Sequence, residues 1–266
     1  MKIDYHETTN DLLKRIDIHS QYGSRNIDEW MLKVINLKQG MNILDVGCGA
    51  GKQCFSYHSH LAGQAEITGG DVNAELLSQA EKENQKQKTD IRFMELDFNK
   101  PFPFPDNEFD FASCCFAIYY AEDIPFTIRE LHRILKPGGR LFTSGPMPTN
   151  KKLFYSIIQD ATGKAIPPMP GSSRYSTQIL DAMKNTFNRV KVEIFENPLI
   201  FESVDPFLTY TRASLSEDRK LWSSFFETKE DFEKIMTQIK DVAEDKLQRY
   251  GKLIMTKVVG GFLAEK

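Results

Sequence analysis

Ile43-Leu44-Asp45-Val46-Gly47-Cys48-Gly49-Ala50-Gly51 is the stretch that decides how this chain is read. A short apolar run stops on three glycines spaced G-x-G-x-G, and a helical pattern runs from about Gly51 to Leu61. The predicted unit is a buried strand, a turn without side chains and a helix N-terminus. Glycines there allow positive φ and let a ligand approach the backbone. The helix start offers unpaired N–H groups and a partial positive charge. Phosphate-binding versions of this turn do not fit. Gly51-Lys52 is followed by Gln53, not by the Ser or Thr of a G-x-x-x-x-G-K-[ST] loop, and the sixth position counted from Gly47 is Lys52, not the glycine of a dinucleotide fingerprint. Asp45, two residues before Gly47, would repel a pyrophosphate. It would attract an ammonium group while the amides beyond it hold a carboxylate, so the expected ligand carries an amino acid.

Outward from this turn, strands and helices alternate. Strands are predicted at 66–71, 91–96, 109–115 and 140–144, with helices at 74–85 and 124–135 between them, the second stopped by Lys136-Pro137-Gly138-Gly139. Upstream, Ile27, Trp30, Met31, Val34 and Ile35 share one helical face. Strands separated by crossover helices pair in parallel, with right-handed connections and helices on both faces. The expected fold class is α/β, a doubly wound Rossmann-like sheet whose ligands sit at the carboxyl ends of the strands. Farther on, helices are expected at 150–163 and 176–187, a loop at 167–171 and strands at 190–194 and 253–263. Between those last strands lies a mostly helical excursion, 207–250, far longer than ordinary connections, which suits a cap over a pocket.

Two further acids complete the ligand. Asp71, about 20 residues after the turn and at the end of the second strand, suits a ribose diol. Asp97, just past the third strand, can accept from an exocyclic amine, and Val72 and Phe98 can flank a flat base. Amino acid, ribose and adenine together are S-adenosylmethionine.

Residues 41–145 resemble the class I S-adenosylmethionine-dependent methyltransferases, and among them the small-molecule branch that includes the ubiquinone/menaquinone-biosynthesis enzymes. The resemblance rests on Leu44-Asp45-Val46-Gly47-Cys48-Gly49-Ala50-Gly51, Gly70-Asp71, Leu96-Asp97-Phe98, Phe104-Pro105-Asp106-Asn107-Glu108-Phe109-Asp110 and Arg129-Glu130-Leu131-His132-Arg133-Ile134-Leu135-Lys136-Pro137-Gly138-Gly139. It covers under half the chain and is silent on the acceptor. It implies a seven-stranded sheet of order 3-2-1-4-5-7-6 with the last strand antiparallel. Four segments follow: an N-terminal helical lid at 1–38, the cofactor-binding core at 39–196, a helical cap insertion at 197–251 and the last core strand at 252–266. The resemblance further implies that Gly47, Gly49 and Gly51 cradle the cofactor with Asp45, Asp71, Val72, Asp97 and Phe98. Cys115 would offer its backbone carbonyl to the methionyl amine. Tyr22 and Arg25 would fold over the methionyl carboxylate. For catalysis it points to Tyr119 facing the transferred methyl, with Tyr22 and His19 as further candidates.

Composition bounds the alternatives. The 266 residues carry a net charge of −3, with 41% hydrophobic and 27% charged residues, the mixture of a soluble globular chain rather than a nucleic-acid or membrane-surface binder. No apolar stretch reaches the roughly 20 residues of a membrane span, and no signal peptide is readable, so the expected compartment is the cytoplasm. The four cysteines lack C-x₂-C spacing, so neither a metal site nor a disulfide scaffold is expected. The expected reaction is in-line methyl transfer to an O or N centre, with carbon open, of a small, partly apolar metabolite. Two rivals use the same residues: S-adenosylmethionine binding with other chemistry, such as aminopropyl transfer, and a non-catalytic binding partner.

Overall fold

The computed structural model describes residues 9–215 and 218–266. Seven strands, β1 (Asn42–Val46), β2 (Glu66–Asp71), β3 (Arg92–Glu95), β4 (Phe109–Cys115), β5 (Leu135–Pro146), β6 (Arg189–Phe201) and β7 (Leu253–Glu265), form one sheet of order β3-β2-β1-β4-β5-β7-β6. The pairs β1–β2, β1–β4, β2–β3 and β4–β5 are parallel, and β5–β7 is antiparallel. The helices are α1 (Thr9–Tyr22), α2 (Ile27–Ile35), α3 (Lys52–His60), α4 (Ala74–Gln87), α5 (Ile124–Ile134), α6 (Lys152–Thr162), α7 (Pro170–Arg174), α8 (Leu180–Thr186), α9 (Asp205–Arg212), α10 (Arg219–Trp222) and α11 (Lys229–Tyr250). The expected order and the antiparallel last strand are what the chain adopts.

Two compact units divide the chain: residues 1–25, 148–170 and 196–258 form the first, and 26–147, 171–195 and 259–266 the second. In the second unit, two apolar clusters cover the sheet. One holds Met31, Ile35 and Cys54 from α2 and α3, the other Ile128, Leu131 and Met183 from α5 and α8. Neighbouring residues Ile43 and Leu44, both fully buried, divide between these clusters, as the alternation of side chains across a strand requires. The first unit has its own core, rich in rings: Phe154, Phe207, Tyr210 and Trp222 are all inaccessible to solvent. Thus α2, expected in an N-terminal lid, belongs with the sheet-bearing unit, and α6 belongs with the helical one.

Four boundaries differ from the sequence reading. β5 begins at Leu135, five residues early, because Leu135 already pairs with Phe109. The next pair is Arg140 with Phe111, so Lys136-Pro137-Gly138-Gly139 loop out as a bulge between them. The helix expected from Ser176 starts as a π-turn at Tyr175–Ile179, and the loop expected at 167–171 gives way to α7 at Pro170. β6 runs to Phe201, well past Ile194.

β2 approaches its neighbours closely enough to need missing side chains. A Cβ on Gly70 would stand 2.6 Å from the Leu96 Cβ, and one on Gly69 2.9 Å from the Cys54 sulfur. Gly70→Ala therefore forces overpacking in a filled core, with an expected loss of about 1–3 kcal/mol of stability. Urea unfolding followed by circular dichroism measures it, and an unchanged midpoint would show that the strand can shift.

Candidate functional site

β1 and β2 end level with one another, with Val46 opposite Gly70. The chain leaving β1 takes left-handed backbone at Gly47, Gly49 and Gly51, with φ of +71°, +55° and +81°. The turn is pinned to β2: the Gly47 and Cys48 amides donate to the Gly70 carbonyl at 2.7 and 3.1 Å, and the Gly49 amide donates to Asp71 Oδ2 at 2.8 Å. The three glycines serve different ends. A Cβ on Gly51 would strike the rings of Phe93 and Phe55 at 2.8 and 2.9 Å, so its bareness serves packing. Beside Gly49 the nearest atom, on Leu76, is 3.9 Å away, so that position is open. Gly47 lies against Ala117 and the Phe98 ring.

Asp71 Oδ1 accepts from the Asn73 amide at 2.8 Å. Each of its oxygens keeps a further lone pair for a hydroxyl donor. Asp97 Oδ1 accepts from the Asn99 amide at 2.9 Å and Oδ2 pairs with Lys100 at 3.2 Å. The Asn99 amide, seconded by Lys100, holds the Asp97 carboxyl below the usual carboxylate range. Val72 is exposed at the end of β2, and Phe98 is half-buried against the core. Turn, acids and flanking residues thus gather at the carboxyl ends of β1, β2 and β3, where open α/β sheets hold ligands.

Asp45 keeps different company from the ammonium group expected of it. It is 1% exposed, Ser113 Oγ donates to its Oδ1 at 2.6 Å, and the Cys54 thiol donates to its Oδ2 at 3.7 Å. Asp45 and Ser113 are register partners on β1 and β4, so their side chains meet across the two strands in the buried layer. Burial raises its pKa to about 7, against the two hydrogen bonds that lower it.

Cys115, at the end of β4, is buried, and burial pushes its thiol up to about 12, which suits packing. After it the chain turns sharply. Phe116 is 37% exposed with φ +54°, a left-handed conformation that costs a bulky residue about 1–3 kcal/mol. Its backbone amide donates a hydrogen bond to the Ser144 carbonyl at 2.8 Å, which helps hold it there. The 3-10 turn Ile118–Tyr120 follows. Tyr119 is half-buried, its ring 6.4 Å from that of Tyr175, and Arg174 clamps the turn by donating to the carbonyls of Tyr119 at 2.9 Å and Ala121 at 2.7 Å. Sequence reading missed both Phe116 and Arg174: strain leaves no compositional mark, and Arg174 sits 55 residues from the carbonyl it holds.

The N-terminal candidates lie in the other unit. The His19 ring stacks on Tyr210 at 5.9 Å, and Tyr22 packs on Phe201 at 5.1 Å. Arg25 donates to the Glu196 carbonyl at 2.8 Å, and its backbone amide donates to Asn197.

This sheet order, with the glycine turn after the first strand and an acid ending the second, is the doubly wound Rossmann-like fold expected from the sequence. Residues 44–143 match the family described as a methyltransferase domain. Among curated proteins the chain is similar to the demethylmenaquinone methyltransferase of Listeria welshimeri, 29% identical over 57% of this chain and 73% of that protein. Other curated relatives are matched over only about half of their length, 49–60%. Among solved structures it is similar to the YcgJ protein of Bacillus subtilis, with a TM-score of 0.58, 16% identity and 90% and 97% of the two chains covered. It is also similar to the phosphoethanolamine N-methyltransferase 2 of Haemonchus contortus in complex with S-adenosyl-L-methionine, with a TM-score of 0.58, 19% identity and 97% and 57% covered. Among the described residues no helix is long and apolar enough to cross a membrane.

The Asp45 environment predicts a stability profile. Its folded pKa, about 7, lies above the ordinary 3.8, so the folded state binds the proton more tightly. Stability from that proton is complete below pH 4 and is lost as pH rises toward and through 7. Relative to Asp45→Asn, the unfolding free energy of the native protein should fall between pH 4 and pH 8 by up to about 4 kcal/mol. Denaturation series across that range test it, and parallel curves for the two proteins would mean the buried acid is ionised throughout.

Proposed function

We propose that the protein transfers a methyl group from S-adenosylmethionine to an O or N centre, with carbon open, of a small, partly apolar organic acceptor. The observation that carries this reading is the double attachment of the glycine turn to β2. A Cβ on Gly49 would meet nothing closer than Leu76 at 3.9 Å, and the Gly49 amide holds Asp71 Oδ2 at 2.8 Å with lone pairs to spare. The residues present suit the cofactor: the first amides of α3 have no intrahelical acceptors and a carboxylate can fill them. Asp71 can take the ribose hydroxyls and Asp97 the adenine amine, with Val72 and Phe98 on either side of the base. Cys115 would offer its backbone carbonyl.

When bound, S-adenosylmethionine supplies a methyl group on a sulfonium, already strongly electrophilic. The chain's own task is then to place an acceptor in line and to exclude water. Tyr119 is proposed to orient the acceptor, on a turn stiffened by Arg174 and by the strained Phe116. An acceptor with quinone-like apolar character is favoured by the similarity to a demethylmenaquinone methyltransferase.

Calorimetry with S-adenosylhomocysteine tests the cofactor assignment. Asp71→Ala should weaken binding by about 1–3 kcal/mol through lost charge-assisted bonds, and unchanged affinity would remove Asp71 from the ribose. Turnover with a demethylated quinone should release S-adenosylhomocysteine by mass spectrometry, whereas release of methylthioadenosine would signal transfer of the aminocarboxypropyl group instead. Tyr119→Phe should slow turnover while leaving cofactor affinity intact, and full activity would reduce Tyr119 to a packing residue.

A further inference from the structure

With Asp45 turned inward, the amino-acid end of the ligand lacks the acid first expected for it. A second acid stands beside the glycine turn. Asp28 lies in the first turn of α2, a helix that packs on α3. Its Oδ2 pairs with Lys52 Nζ at 2.9 Å, and Lys52 directly follows Gly51 as the first residue of α3. Its Oδ1 is inaccessible to solvent and has no hydrogen-bond partner. The Asp28 charge also reaches the end of β4, where it helps raise the Cys115 thiol, after burial and Asp45.

The two oxygens call for different explanations. An acid in the first turn of a helix, paired with a lysine that is 70% exposed, is an ordinary surface arrangement and accounts for Oδ2. It does not account for Oδ1. The side chain as a whole is 29% exposed, so it is this one oxygen that is enclosed. A buried acceptor left unpaired is costly, and a ligand or ion is one of the groups that can complete it. The missing partner has to be a donor, and at the exit of a turn suited to a zwitterion the fitting donor is a primary ammonium.

We propose that Asp28, rather than Asp45, receives the ammonium group of the cofactor's amino-acid moiety, through Oδ1. This rests on the S-adenosylmethionine reading above. It divides the work of recognition: the amides of α3 take the carboxylate, Asp28 takes the ammonium, and Asp71 and Asp97 take the nucleoside. Lys52 keeps the other Asp28 oxygen engaged and so holds the rotamer that presents Oδ1.

The test compares two ligands that differ in the amino-acid group. S-adenosylhomocysteine carries it, and 5′-methylthioadenosine keeps the nucleoside and sulfur without it. In calorimetry, Asp28→Asn should lower affinity for S-adenosylhomocysteine about tenfold or more, the size of a lost charge-assisted bond, and leave 5′-methylthioadenosine unchanged. Asp28→Glu, which keeps the charge, should recover part of the loss. Unchanged affinity of Asp28→Asn for S-adenosylhomocysteine, or an equal loss for both ligands, overturns the assignment. Should Asp28→Asn fail to fold, the native protein suffices: it should bind the deaminated analogue of S-adenosylhomocysteine at least tenfold more weakly than the parent, and equal binding would overturn the assignment. Failure of the native protein to bind either nucleoside would strike the cofactor reading itself, a different outcome from failure of Asp28 alone.

Discussion

The hydrogen bond from the Gly49 amide to Asp71 Oδ2 ties the end of one strand to the end of the next, and much of the site follows from it. It can form only because β1 and β2 are parallel and in register, so that the turn leaving β1 and the acid ending β2 emerge level. It also needs a chain able to enter left-handed backbone three times within five residues, which only glycine does at little cost. The neighbouring strand must come close, and Gly69 and Gly70 allow that approach. The glycines of two separate strands are thus one constraint: bare backbone on both sides lets the turn's amides reach β2. The acid that satisfies the turn is in consequence already aimed along the crevice.

The same geometry explains why two aspartates in similar motifs meet opposite fates. Asp45 sits inside β1, flanked by Gly69 of β2 and Ser113 of β4, in a strand covered on both faces. A side chain there has nowhere to go except into a helix-covered layer, where Ser113 and Cys54 receive it and burial favours its proton. Asp71 is the last residue of its strand and escapes that layer. Distance from the strand end, more than residue type, separates a buried acid from a ligand-facing one.

That distinction marks the limit of what could be read from the chain. The strands, their order and the glycine turn were legible because period-two apolar runs, crossover-length helices and glycine spacing are local signals. The Asp71 and Asp97 positions were legible as strand ends. The inward turn of Asp45 was not, because it depends on Ser113, a residue 68 positions away brought opposite by register. Arg174 and Asp28 were invisible for the same reason: each acts on a segment that only tertiary packing brings near. The π-turn at Tyr175 belongs here too, since the Tyr175 ring stacks on Phe262 at 4.3 Å and its hydroxyl donates to the Thr143 carbonyl at 2.8 Å. Long-range contacts, not helical propensity, set that backbone.

The charge balance of the crevice bears on why such a site would turn over. Lys52 and Lys100, the cations paired with Asp28 and Asp97, are 70% and 74% exposed, so water screens them far more than it screens the acids they face. The lysines therefore offset the charge of Asp28 and Asp97 only in part, and Asp71 adds to it. The proposed cofactor enters with a positive sulfonium and leaves as a neutral thioether. A negative crevice holds the first more tightly than the second, by an amount that grows as water is excluded. Within the proposed function, the acids that select the ligand would also favour its exchange once the methyl has gone. Burial, which favours the protonated form of Asp45, would also lessen its share of that negative charge.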